Sequence, residues 1–378
     1  MYKSTERGRT LEYIHGGDIY TYTGMTDFSV NVGPFGPSMA VMEAARKAVA
    51  EIGNYPDSRC GKLREALEKD TGIPGKQFVF GNGAAELIYD VVRAVRPKKA
   101  VISVPTFAEY EQALQTEECE ILYHEKKEEE GFALGEDFLE FLRDDVDIVF
   151  LCSPDNPSGR SVPKGLLRKI LRICEEKQIF MVLDECFLDF MENASEMTMI
   201  KEAAKSSYLM VIRAFTKMHA MPGLRSGYAV SRNESILEKM ERCRQPWNVS
   251  IPAQAASLAA LKEKKRVQTT REFITRERKW MEEGLAEIGV TFFPSEVNYI
   301  LLKSDLDLFE KMKEYRILIR DCSNYRGLEK GFYRIAIRQR GDNHRLLEAL
   351  YDIYSKSVKV EETEETDGEI DHDPGNDV

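Results

Sequence analysis

Before residue 250 the chain repeats one device: a short apolar run closed by turn-forming residues. The runs are "QFVFGNG", "AVISVPTF", "DIVFLCSP", "IFMVLDE", "YLMVIRAF" and "SGYAVS". Between most of them lie amphipathic stretches of helical length, such as "AAELIYDVVRAVR" and "PKGLLRKILRICEEKQ". A nearly continuous apolar strand must be covered on both faces, and a strand followed by a helix returns parallel to its predecessor. The pattern predicts an α/β fold with a mostly parallel central sheet and helices on both faces. Ligands of such sheets bind beyond the C-terminal ends of the strands.

Near Ser250 the pattern changes. One long helical stretch, "AQAASLAALKEKKRVQTTREFITRERKWMEEGLAEIG", leads into a smaller α+β unit. Its strands are predicted near "VTFFPSEVNYILL", "RILIRDC" and "FYRIAIR", with helices around 306–314 and 342–355. The predicted organisation is an N-terminal arm and small-domain segment (1–45), a large domain (46–249), a linking helix with a small C-terminal domain (250–356), and an acidic tail (357–378).

Charge and cysteines narrow the function classes. After Val360 the chain holds nine acidic residues and no Lys or Arg, so setting those nine aside from the net −11 leaves −2 for the body. A nearly neutral body has no basic face for nucleic acid. The tail is predicted to be disordered, with "DHDPGND" around His372 reading as a solvated, at most weakly cation-holding run. The seven scattered cysteines contain no C-x-x-C pair and give no disulfide or metal framework, which suits a reducing cytoplasm. No apolar run reaches bilayer length, and "MYKSTERGRTLEYIHGGD" lacks a signal peptide's apolar core.

The chemistry-bearing residues follow the apolar runs. "FGNGAAELI" is strand, glycine turn and helix; Gly81 and Gly83 allow close backbone approach, and free N–H groups at the helix start favour an anion. Phe107 in "VPTFAEY" either stacks on a flat ligand or packs between strand and helix. Asn156 in "LCSPDNPSG" stands between two prolines that either aim its amide or merely shape a loop. Asp184 ends "IFMVLD" as a partner for a buried cation or as a helix cap, while Glu185 alternates to the other face. In "RAFTKMHAMPGLRSGY" Lys217 precedes Arg225 by eight residues, across Pro222-Gly223. Together these supply an amine for an aldehyde, an arginine and a helix start for a phosphate, a carboxylate for a pyridinium, an amide for a ring hydroxyl and an aromatic for a ring face. That set describes one ligand, pyridoxal 5′-phosphate.

At these residues the chain resembles the fold-type-I pyridoxal-phosphate enzymes, over roughly residues 14 to 355. Within them it is similar to the branch of threonine-phosphate decarboxylases and histidinol-phosphate aminotransferases. The matching segments are "HGGDIY", "DFSVNVGPFGP", "GNGAAELIY", "PTFAEYEQAL", "FTKMHAMPGLRSGY", "ILIRDCSNYRGL" and "FYRIAIRQRGDNHRLLEAL"; "HGG" and "IRDCSN" lean toward the decarboxylases. The resemblance implies that Lys217 bonds the cofactor aldehyde, Asp184 pairs with the ring nitrogen, Asn156 meets the ring oxygen and Phe107 stacks on the ring. It places Gly83, Ala84, Ala85, Thr216 and Arg225 around the cofactor phosphate. Tyr55, in "NYPD", would reach the phosphate of a neighbouring subunit, which implies a homodimer with shared sites. Arg334 would receive the substrate carboxylate; Arg320, His15 and Asn31 would face the substrate's own phosphate, although Arg320 has the alternative of pairing with Asp321. One segment departs from the family pattern: Asn-Pro-Asn-Asn-Pro-Thr-Gly is here "SPDNPSG", with Ser153 and Asp155 in place of two asparagines.

The implied activity is decarboxylation of L-threonine O-3-phosphate to (R)-1-amino-2-propanol O-2-phosphate, as in cobalamin biosynthesis. The alternative is an aminotransferase of the histidinol-phosphate type. A third reading, a cofactor-binding sensor, leaves Lys217, Asp184 and Asn156 idle and has no DNA-binding module beside it.

Overall fold

The structure is a computed structural model that describes residues 5–6, 9–10 and 15–367. A seven-stranded sheet carries the apolar runs: β1 (Phe78–Gly81), β2 (Lys99–Val104), β3 (Glu120–Glu125), β4 (Ile148–Cys152), β5 (Phe180–Asp184), β6 (Leu209–Ala214) and β7 (Gly227–Val230). The strand order is β1-β7-β6-β5-β4-β2-β3. The pairs β3–β2, β2–β4, β4–β5 and β5–β6 are parallel. β7 runs antiparallel to both β1 and β6. The reversal has a local cause: between Ala214 and Gly227 lies only a 3₁₀ turn at Pro222–Leu224, with no helix to carry the chain across for a parallel return.

Alternation along the strands feeds two cores. In β4, Ile148, Phe150 and Cys152 enter one core, while Val149 and Leu151 enter the other. The longer helices here are α1 (Met39–Ala48), α2 (Gly61–Thr71), α3 (Ala84–Val95), α4 (Glu109–Gln115), α5 (Lys164–Lys177), α6 (Glu234–Cys243) and α7 (Ile251–Ala260). α3, α4 and α6 cover the first face; α1, α2, α5 and α7 cover the second. α3 shows why such segments are helical: Leu87, Ile88, Val91 and Val92 recur at helical spacing and are fully buried against the sheet.

The long helical stretch after Ser250 is two helices, α7 and then α8 (Lys264–Ile288). The break follows a change of partner. α7 presses Ala253, Ala256 and Ala260 against α1 in the second core, whereas α8 sends Ile274, Met281 and Leu285 into the first. A second sheet of β8 (Thr291–Phe293), β9 (Tyr299–Lys303), β10 (Arg320–Asp321) and β11 (Phe332–Ala336) follows, antiparallel throughout, in the order β8-β9-β11-β10. The N-terminal arm joins this unit through Thr26–Asp27, which pairs parallel with Ile317–Leu318.

α9 (Leu308–Glu314) and α10 (Arg340–Asp367) flank the second sheet. α10 corrects the expectation for the tail, since helix continues past Val360 through Asp367. Glu is a good helix former, and here the glutamates of residues 361–365 extend a helix already nucleated by a packed stretch, so no new nucleus is needed. The run "DHDPGND" with His372 lies outside the described residues. Among the described residues no helix is long and apolar enough to cross a membrane.

Candidate active site

An open cleft of about 520 Å³ lies at the strand ends, and the residues singled out from the sequence converge on it: Lys217, Asp184, Asn156, Phe107, Thr216, Arg225, Ala84 and Ala85 all line it. Asp184 is the last residue of β5, and Asn156 follows β4 by four positions. Thr216 and Lys217 leave the end of β6, and Ala84 starts the helix that follows β1.

Lys217 brings an amine to this cleft with its Nζ 5.3 Å from the centre of the Phe187 ring. Burial, reinforced by the positive charges of Arg334 and Arg225, pushes its pKa down to about 8, against the opposing pull of Cys186 and Asp184. A low-pKa amine is more often neutral and nucleophilic near neutral pH. The arm braces this segment, because the Gly33 N–H donates to the Lys217 carbonyl at 2.8 Å.

Asp184 is 5% exposed, and both its oxygens accept hydrogen bonds: Oδ2 from the Tyr110 hydroxyl (2.8 Å) and Oδ1 from the Cys186 N–H (2.8 Å). No cationic side chain is paired with it among the described residues, which leaves it a counter-ion for a cationic ligand atom. Glu185 does alternate to the far side, where it meets Arg213 (2.9 Å), the Thr198 hydroxyl and the Met199 N–H.

At the start of α3, backbone and one arginine make a cradle suited to an anion. Gly83 has φ +81°, and an added Cβ there would stand 2.3 Å from Arg225 Nη2, so only glycine lets the guanidinium reach the start of α3. Gly83 provides no side-chain cap, so the first N–H groups of α3 remain available, and the helix dipole adds positive potential. Arg225 forms no ion pair with a carboxylate among the described residues; its Nη1 donates to the Pro222 carbonyl at 3.1 Å.

At the opposite end Asn156 is gripped through its oxygen. Oδ1 accepts from the Tyr325 hydroxyl (3.2 Å) and from Arg334 Nη1. The amide NH2 is thereby turned toward the cleft as a donor. Arg334, 5% exposed, also donates through Nη2 to the Ser29 carbonyl at 2.9 Å, while its Nε is buried without a partner. Arg320 sits directly opposite Arg334 in the β10–β11 register, so both guanidinium groups leave the same sheet face. Arg320 meets the Asp321 carbonyl and Asn324 Oδ1 (2.7 Å).

The remaining candidates stand apart from the cleft's floor. His15 is beside Phe107, with ring centres 6.4 Å apart, and pairs with Glu109 at 3.0 Å. Asn31 is buried with its Oδ1 unpartnered, on the arm segment between Ser29 and Gly33. Tyr55 is not brought to the cleft: it is 76% exposed and stacked on Trp247 at 4.2 Å. The structure adds residues that sequence reasoning missed, chiefly Tyr110, Cys186 and Phe187 in the lining and Tyr325 behind Asn156. Tyr110 carried a usable signal, since it lies one helical turn beyond Phe107 at the start of α4.

Comparison with known proteins agrees on one family. The aminotransferase class I and II family profile matches residues 23–350. The threonine-phosphate decarboxylase of Salmonella typhimurium is 35% identical over 351 residues, covering 90% of this chain and 96% of that protein. The histidinol-phosphate aminotransferase structure from Clostridium acetobutylicum superposes with a TM-score of 0.81 at 29% identity, covering 87% of this chain and 99% of the other. The L-threonine-O-3-phosphate decarboxylase structure from Porphyromonas gingivalis gives 0.76 at 26% identity, with the same coverage.

Proposed function

The chain belongs to the aminotransferase class I and II family, a family of pyridoxal-phosphate enzymes, and from that premise we propose that it decarboxylates L-threonine O-3-phosphate to (R)-1-amino-2-propanol O-2-phosphate. The observation that carries the reading is the facing pair Arg320 and Arg334, 7% and 5% exposed. A substrate with a carboxylate and a phosphate presents two anions to this pair, and a guanidinium grips either anion in two-pronged geometry.

The cleft fits the cofactor on its own chemistry. It offers a low-pKa amine at Lys217, a buried carboxylate at Asp184 with no cationic side-chain partner among the described residues, and a glycine cradle with Arg225 at a helix start. Gly83, Ala84, Ala85, Thr216 and Arg225 would hold the phosphate, Asp184 the ring nitrogen, Asn156 the ring oxygen and Phe107 the ring face. Bound there, pyridoxal phosphate supplies an electron-withdrawing ring that accepts the electron pair released when a bond to the substrate Cα breaks.

The chain's residues decide which bond that is. Arg334 holds the carboxylate, while Arg320, with His15 and Asn31 nearer the arm, takes the substrate phosphate. With both ends anchored, the substrate cannot rotate freely about its Cα, and the bond set perpendicular to the ring is the one that breaks. In decarboxylation the bond from Cα to the carboxylate would break, CO2 would leave, and the Lys217 ammonium would return a proton to Cα. Asp184, fixed by Tyr110 and the Cys186 N–H, would offer the ring nitrogen a negative partner that favours its protonated form. Tyr55 would complete the phosphate site of a second copy in a homodimer. Its exposure fits that role, as does the exposed apolar surface at Met39 (69%) and Ile52 (64%).

The alternative, an aminotransferase of the histidinol-phosphate type, is favoured by the close superposition on the Clostridium acetobutylicum enzyme. Purified protein with pyridoxal phosphate and L-threonine O-phosphate, without any keto acid, separates the two. CO2 and the phosphorylated amine over many turnovers support the lyase. No CO2, with glutamate formed from 2-oxoglutarate and histidinol phosphate, replaces it with the aminotransferase.

A further inference from the structure

One departure from the family's strand-end motif points to an added support beneath the ring site. Asp155, which stands where the family pattern has asparagine, is 4% exposed. Its Oδ2 accepts from Lys126 Nζ at 2.7 Å and from the Ser158 hydroxyl at 2.9 Å; its Oδ1 accepts from the Thr106 hydroxyl at 2.8 Å. Lys126 is equally hidden, with 4% of its side chain exposed. The Asp155 carbonyl accepts from the Tyr299 hydroxyl at 2.7 Å. One carboxylate thus ties together three strand ends: the residue after β3, the residue before Phe107 and the residue before Asn156. Phe107 and Asn156 are the two groups assigned to the face and the oxygen of the cofactor ring.

We propose that the buried Lys126–Asp155 pair is a positioning unit, peculiar to the charged form of this motif, that sets Phe107 and Asn156 against the cofactor ring. The proposal rests on the cofactor lying in the cleft, but not on which substrate is turned over. A buried ion pair is a poor source of stability compared with apolar packing, whereas removal of one partner strands a charge. Its retention between two ring-facing residues therefore fits a geometric role. Lys126 is the cation that lets a carboxylate stand where an asparagine would otherwise serve.

The test is a double-mutant cycle read by cofactor binding. Purified apoprotein of wild type, Lys126→Met, Asp155→Asn and the double variant is titrated with pyridoxal phosphate, following visible absorption and melting temperature. Each single variant is expected to weaken cofactor affinity about tenfold or more, as loss of a supporting group does behind other ligand sites, and to shift the absorption band. The double variant restores the family's asparagine and removes the stranded charge, so its affinity and band should return to within about threefold of wild type. Wild-type affinity and spectrum in both folded single variants would overturn the proposal. So would a lowered melting temperature alone, which marks a purely structural pair, or a double variant as impaired as the two singles combined. If the singles do not fold, the double variant and Lys126→Arg, which keeps the charge, decide: both must bind the cofactor with a native-like band. Because no substrate is used, a protein that fails to decarboxylate threonine phosphate leaves this result standing.

Discussion

Gly83→Ala tests the phosphate end of the site more sharply than removal of any side chain. At φ +81° and ψ 168° the backbone occupies a region open essentially to glycine, at a cost of about 1–3 kcal/mol for alanine. The new Cβ would stand 2.3 Å from Arg225 Nη2. The guanidinium must withdraw by about 1 Å to reach ordinary contact distance, and its hydrogen bond to a phosphate at the start of α3 is lost. A charge-assisted hydrogen bond contributes about 1.5–3 kcal/mol, so the dissociation constant for pyridoxal phosphate should rise about ten- to a hundredfold. The assay is titration of apoprotein by visible absorption, with thermal melting alongside. Gly72→Ala is the control: it carries φ +72° at the end of α2 with nothing within 4 Å, so it brings backbone strain without touching Arg225. Both variants should melt lower, and only Gly83→Ala should bind cofactor poorly. Wild-type affinity in a folded Gly83→Ala protein would refute the assignment of Arg225 and the helix start to the phosphate.

Other perturbations address the remaining groups. Lys217, with its pKa pushed down to about 8 by burial, should make cofactor capture by apoprotein faster as pH rises from 6 to 8 and level above, as measured by stopped-flow absorption. The same depression means that the unfolded chain binds the extra proton between pH 8 and the ordinary lysine value of 10.5, so this group's share of apoprotein stability should rise with pH across that window in urea melts. Lys217→Ala should abolish turnover and the visible band of bound cofactor; full activity would sink the whole reading. Tyr110→Phe removes one of the two donors to Asp184 and should lower kcat about tenfold while the fold persists. Arg334→Lys keeps the charge but cannot reach Asn156 and Ser29 while also gripping a carboxylate in two-pronged fashion, so KM for the amino acid phosphate should rise about tenfold or more.

What the sequence made legible was whatever sits immediately after an apolar strand. Asp184, Asn156, Phe107, Lys217 and the glycine turn at Gly83 are local to their strand ends, and parallel topology gathers those ends along one edge. Pairings across long separations were not legible. Nothing local says that Arg320 and Arg334 share a register, because β10 is two residues long and its alignment is fixed by the sheet around it. Tyr110 and Asp184 are 74 residues apart, and Lys126 and Asp155 are 29 apart, so each pair exists only through the fold. The break between α7 and α8 was hidden for a related reason: helical periodicity runs through residues 261–263, and only a change of packing partner ends the first helix there.

The two sheets have a shared point, and it lies at the Asn156 amide. Arg334 on β11 bonds the Asn156 oxygen, and Tyr299 on β9 bonds the carbonyl of Asp155 just before it. On the proposed assignments, a substrate carboxylate that draws the Arg334 guanidinium toward itself would act on the same side chain that holds the Asn156 amide. By linkage, whatever substrate binding does to the grip on the cofactor, cofactor binding does to the grip on substrate. On the proposed assignments, choice of reaction on a common scaffold would belong to the second sheet and the arm, where Arg320 faces Arg334 and Arg334 bonds the Ser29 carbonyl, because the strand-end shelf would serve lyase and aminotransferase alike.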